Sequence, residues 1–219
     1  MRARSRIRSV CRWFFPSVLV ISVGWGLVGD RRVAANDFQY PHDFASQFPD
    51  LHALLADQER FELLSGILDY NSLWGFSVHK EGGSIVPTFC FGGKEPNLRR
   101  GQTLAFSVTE DPTLPGGYRI EGPSHGFSYL RGGRPPIATD RECLKILGAA
   151  FGSDSVQRQF KDFLEFDDID SISVEPMPES TEYRLAIRSP SDQGEEPRTM
   201  SWRVQKWSDS SYIFIQGND

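Results

Sequence analysis

Gly122-Pro123-Ser124-His125-Gly126 is the strongest suggestion of chemistry in this chain. It fits GxSxG, the turn that exposes a nucleophilic serine between a strand and a helix, with an acid and then a histidine later in the chain. The surroundings do not fit. Phe127 to Leu130 reads as strand rather than helix, and no histidine follows His125. A turn joining two strands accounts for these residues better, and Ser124 is not assigned a catalytic role.

The remaining reactive groups are dispersed. His42, His52, His79 and His125 form no HExxH and no i, i+4 pair, so each reads as a surface or cap residue. Glu165, Asp167, Asp168 and Asp170 could offer hard oxygens to Ca²⁺, but they lack the glycine and loop register of an EF-hand and read as solvated acids. The stretch GGKEPN at 92–97 lacks the Walker spacing and any following helix, and Arg99-Arg100, Arg131 and Arg134 read as solvated loop arginines. No catalytic, cofactor-binding or metal-binding residue is assigned, and no cofactor is called for.

Cysteine chemistry depends on where the protein goes. Met1 to Arg12 carries five arginines and no acid, and the 16 residues from Trp13 to Val28 carry no charge. A basic segment followed by a short apolar run is the pattern of a secretory signal peptide. Val33 and Ala35 supply small side chains for a cut before Asn36. The run is shorter than the roughly 20 residues that span a bilayer as a helix, and Pro16, Gly24 and Gly26 interrupt it. The expected division is a signal peptide at 1–35 and one domain at 36–219, with an extracytoplasmic destination, secreted or periplasmic. An uncleaved anchor is the alternative, because Arg31 and Arg32 are atypical so close to a cut.

Removing residues 1–35 discards Cys11 and leaves Cys90 and Cys143, a pair that an oxidising compartment could join. Cys90 shares a strand face with Val86 and Thr88, and Cys143 a helical face with Ile146, Leu147 and Ala150. A bridge would close a loop of about 50 residues and stabilise the fold by roughly 2 to 4 kcal/mol. Two separate buried thiols are the preferred alternative, since free cysteine behaves as a small hydrophobe.

The elements that would position these groups follow from hydrophobic periodicity. Asn36 to Pro49 reads as an extended entry segment. Leu51, Leu54, Leu55, Leu64, Ile67 and Leu68 then recur at helical spacing from Asp50 to about Asn71. From Leu73 to Arg131 the period is two, and Gly-Gly pairs at 82, 92, 116 and 132 divide five runs: WGFSVHK, SIVPTFCF, TLAFSVTE, YRIEG and GFSYL. Connections this short favour an antiparallel meander. Thr139 and Glu142 have the spacing of a capping box before a helix through Phe151, and a further helix runs from about Ser155 to Glu165. Alternation returns in 183–188, 200–205 and 210–216, with an exposed tip at 189–197 and a turn at 208–211. The expected fold class is α+β: a single domain of about eight antiparallel strands forming a curved sheet, packed by an N-terminal helix and a central pair of short helices. The sequence shows no internal repeat.

Composition narrows the function. The whole chain has a formal charge of −5, but residues 36–219 hold 17 basic and 28 acidic groups, a charge of −11. That balance argues against a nucleic-acid partner, which needs a basic footprint. No membrane span is expected after signal cleavage. Two classes of function remain: a non-catalytic binding or interaction module for an unknown protein, and a carrier of an apolar small-molecule ligand or lipid, which a surplus of strand aromatics would allow.

Overall fold

The computed structural model describes residue 40 and residues 43–94, 100–129, 135–190 and 196–217, all within one compact unit. The signal-peptide reading of 1–35, His42, Arg99, Arg131, Arg134, the glycines at 132–133 and most of the 189–197 tip lie outside the described residues.

Chain order begins with a 3-10 turn, Phe44–Gln47, and two helices, α1 (Phe48–Ala56) and α2 (Gln58–Leu68). Strands β1 (Asn71–Glu81), β2 (Ser84–Gly93), β3 (Arg100–Glu110) and β4 (Tyr118–Tyr129) follow. Helices α3 (Arg141–Phe151) and α4 (Asp154–Phe166) come next, and strands β5 (Ser171–Pro176), β6 (Tyr183–Arg188), β7 (Thr199–Ser208) and β8 (Ser211–Gln216) complete the order. The four-strand groups form antiparallel sheets in orders β1-β2-β3-β4 and β5-β6-β7-β8, so the fold is α+β. Although the sequence carries no repeat, the pattern of two helices followed by four meandering strands occurs twice.

The expected single curved sheet is instead two sheets stitched by a short extended segment. Leu73 exchanges backbone hydrogen bonds with Ile137 and Ala138 at 2.7 and 2.8 Å, and Val174 N–H donates to Ile137 O at 2.8 Å. Ile137 and Ala138 therefore link β1 to β5, and one hydrophobic core runs from Phe89 in the first sheet to Trp202 in the second.

Several local expectations are corrected. The entry segment closes with the turn at Phe44, and α1 begins at Phe48 rather than Asp50. The helix expected to continue to Asn71 breaks at Asp57, whose extended backbone lets its carboxylate accept the Arg60 N–H at 3.0 Å and cap α2. The helix α3 is capped by Asp140, which accepts from Cys143 N–H at 2.8 Å, and not by Thr139. The strand total of eight agrees with expectation only through offsetting differences, since β4 fuses two expected runs while β5 corresponds to none of them. In β8 the half-buried side chains are Tyr212 and Phe214, while Ile213 and Ile215 face outward.

Candidate functional site

The GxSxG residues lie inside β4, not at a turn. Two residues of β4, Gly122 and Pro123, oppose the single Phe106 of β3, because pairing passes from Ala105 with Ser124 to Ser107 with Glu121. Gly122 has φ +108°, its peptide to Pro123 is cis, and the bulge absorbs both residues without ending the strand. Consecutive strand residues point to opposite faces, so Ser124 and His125 cannot act as a pair. Ser124 Oγ leans toward Ala105 O at 3.4 Å, and His125 Nδ1 toward Gln102 Nε2 at the same distance on the other face.

The cysteines are likewise separated by the sheet. Cys143 belongs to the continuous core, where Phe76 and Phe89 of the first sheet meet Phe151 of α3. Cys90 follows Phe89 in β2 and so points to the opposite face, where Ser128 hydrogen-bonds it. Both are buried free thiols, and burial pushes each thiol pKa up to about 12. Among the described residues no group of three His, Cys, Asp or Glu side chains converges in a way that could hold a metal. Asp167 is paired with Arg198, and Asp170 N–H bonds Arg188 O.

The aromatic surplus is spent mainly on the core. Phe48 meets Phe151 and Phe160 at centroid distances of 4.8 and 5.0 Å, Phe76 meets Phe89 at 5.1 Å, and Trp202 stacks on Phe160 at 5.6 Å. Trp202 also donates its indole N–H to Gln159 Oε1 at 2.7 Å. These rings fill the space between helices and sheets. Among the described residues Tyr70, Phe127, Tyr129 and Trp207 are the exceptions, exposed at 83%, 63%, 65% and 78%.

Concavity appears instead on the outer face of the helices. Two open hollows of about 550 and 380 Å³ meet at His52 and Ala56 of α1. The first reaches Pro115, Gly116 and Tyr118 at the β3–β4 tip, and the second reaches Asp209, Ser210 and Tyr212 at the β7–β8 tip. The helical crossing between the tips is set by two glycines four residues apart, Gly148 in α3 and Gly152 at its C-cap. A Cβ on Gly148 would lie 3.0 Å from Leu55 Cβ, and a Cβ on Gly152 would lie 2.6 Å from His52 Cε1. Their bare backbones let α1 settle onto α3, and His52 Nδ1 lies 2.8 Å from Gly148 O. A carbonyl only accepts, so Nδ1 is the donor and Nε2 is left for the groove.

The second hollow is fixed at its rim. Tyr212 hydroxyl donates to Glu142 Oε1 at 2.9 Å, and Lys206 Nζ donates to the same oxygen at 3.1 Å. Burial, reinforced by that carboxylate acceptor, raises the Tyr212 pKa, and the hydroxyl keeps the proton it donates to Glu142. Arg141 forks onto the Glu62 carboxylate and lies over the Phe61 ring at 5.2 Å. Leu55, Phe61 and Ala149 supply apolar lining beside Arg141 and Lys145. The resulting surface offers shape, apolar contact and charge.

Sequence reading missed this groove because it joins residues 96 positions apart. The available signal was the pair Gly148 and Gly152, which marks a close helix approach within an otherwise apolar face. The chain matches no family model, no curated protein and no solved structure.

Proposed function

We propose that this chain is an exported, non-catalytic binding module that receives a segment of another protein on the outer face of α1 and α3, between the β3–β4 and β7–β8 tips. The carrying observation is the contrast between a filled interior and an open helical face. A carrier would hold its apolar ligand between helices and sheets, where Phe48, Phe76, Phe89 and Phe151 already pack ring on ring. The groove has the features of a recognition surface: an apolar floor, a polar rim, and walls that secondary structure holds in place. Export rests on the basic and apolar leader, and the extracytoplasmic role on that leader together with the charge of −11 beyond it.

The reading is tested by panning a displayed peptide library against the protein, with Ala149→Arg as counter-target to fill the groove. Peptides that bind the natural chain and lose at least about tenfold in affinity on the variant support the module. Equal binding to both proteins, or a lipid retained stoichiometrically in the native mass spectrum, contradicts it. The mass of the exported product tests the leader: an intact Met1 contradicts cleavage.

A further inference from the structure

The two sheets end in edge strands of opposite character. On β4, Arg119, Glu121, Pro123 and the bulge at Gly122 interrupt any flat, pairable edge, which is how proteins commonly blunt exposed strands. The edge strand β8 reads SYIFIQ, with no charge, no proline and no interior bulge, and it exposes Ile213 and Ile215. Among the described residues its hydrogen-bonded neighbour is β7.

The ladder register fixes what that edge offers. Gly217 N–H donates to Ser201 O at 2.8 Å. In an antiparallel pair the bonded residues recur every second position, so Ile215 opposite Arg203 and Ile213 opposite Gln205 direct their backbone groups to β7. The N–H and C=O groups of Tyr212, Phe214 and Gln216 therefore point away from the sheet.

We propose that β8 pairs antiparallel with β8 of a second copy of this chain, centred on Phe214. Phe214 then bonds its own counterpart, and Tyr212 bonds Gln216 of the other copy in both directions, so every outward backbone group of those three residues is satisfied. The same register sets Ile213 opposite the other copy's Ile215, twice, in the closer, non-bonded positions where side chains make most contact. Trp207, exposed at the β7 bulge between Lys206 and Ser208, adds a further apolar side chain at that end of the sheet. Because β8 carries no charge, self-pairing opposes no like charges, whereas β4 would bring charged residues into an interface. A twofold arrangement of this kind closes after two copies and leaves no growing edge at β8.

Sedimentation velocity across a concentration series of the full chain as isolated tests the pairing. The natural protein is expected to move from monomer to dimer as concentration rises. Gln216→Pro removes one outward donor without touching the β7 ladder, and Ile213→Lys buries a charge at the seam. Each is expected to weaken dimerisation at least about tenfold, with a melting curve unchanged at concentrations where the natural chain is monomeric. Mixing Ile213→Lys with Ile215→Glu is expected to give a dimer tighter than either variant forms alone, because the register sets the two new charges opposite each other. A natural chain that stays monomeric up to roughly millimolar concentration, a dimer indifferent to the substitutions, or a mixture that pairs no more tightly than either variant alone overturns the proposal.

Discussion

The imidazole of His52 rests on the bare backbone of Gly152, where an added Cβ would meet ring atoms at 2.6 and 2.7 Å. The contact sets the depth of the groove, because the ring that separates its two hollows also bonds Gly148 O. Gly152 has φ −85°, so alanine there encounters a steric conflict and no backbone conflict. Gly152→Ala is expected to cost about 1 kcal/mol by overpacking. In a His52→Ala background the same substitution is expected to cost nothing, and a double-mutant cycle of denaturation midpoints measures the difference. Additive effects would show that ring and glycine do not touch.

Cys90 and Cys143 are expected to resist iodoacetamide in the native protein at pH 8 and to react fully once it is denatured without reductant. Burial holds both pKa values near 12 in the fold, against 9.0 for an ordinary thiol. A disulfide would leave both unlabelled under either condition. The sign of the pH effect follows: above pH 9 the unfolded chain loses thiol protons that the folded chain keeps, so stability falls as pH rises toward 12. Replacing both cysteines with alanine is expected to flatten that decline, as read by urea midpoints from pH 8 to pH 11.

Asp50, in the first turn of α1, has its pKa raised chiefly by burial. A carboxyl that holds its proton more tightly in the fold makes folding less favourable as pH rises through the carboxylate range. Asp50→Asn is therefore expected to gain stability relative to the natural chain between pH 3 and pH 6. A stability difference constant across that range would show that Asp50 ionises alike in both states.

The stack of Trp202 on Phe160 seals the second sheet against α4. Phe160→Ala is expected to cost roughly 3 to 5 kcal/mol and to weaken the near-ultraviolet circular dichroism of the indole. Gln159→Leu leaves the ring stacked but removes the acceptor of its N–H, at an expected cost of about 1 to 3 kcal/mol. A Gln159→Leu protein as stable as the parent would show that the indole N–H finds another partner.

Local signals in the sequence carried the α+β class and most of the element order, and non-local ones did not. Gly82-Gly83 and Gly116-Gly117 adopt positive φ at hairpin turns, as paired glycines between alternating runs imply. Cys143, Leu144, Ile146 and Leu147 are buried on the face their spacing draws. Gly122-Pro123 has the composition of a turn, yet the β3 partner makes it a bulge, and Asp57 looks like one more exposed helical acid until its cap is seen. The strand β5 is short and follows an acidic stretch, and its burial comes from Ile137 and β6, which no local window contains. The groove depends on α1 meeting α3, a contact between residues 96 positions apart that no local window contains.

Site-specific photo-crosslinking in the producing cell tests the binding account most directly. A benzophenone side chain is placed at Ala56 or Ala149 in the groove, and at the exposed Glu175 on β5 as a reference. The account predicts one discrete protein adduct from both groove positions and none from Glu175. Adducts of equal yield at all three positions, or none from the groove, would contradict it.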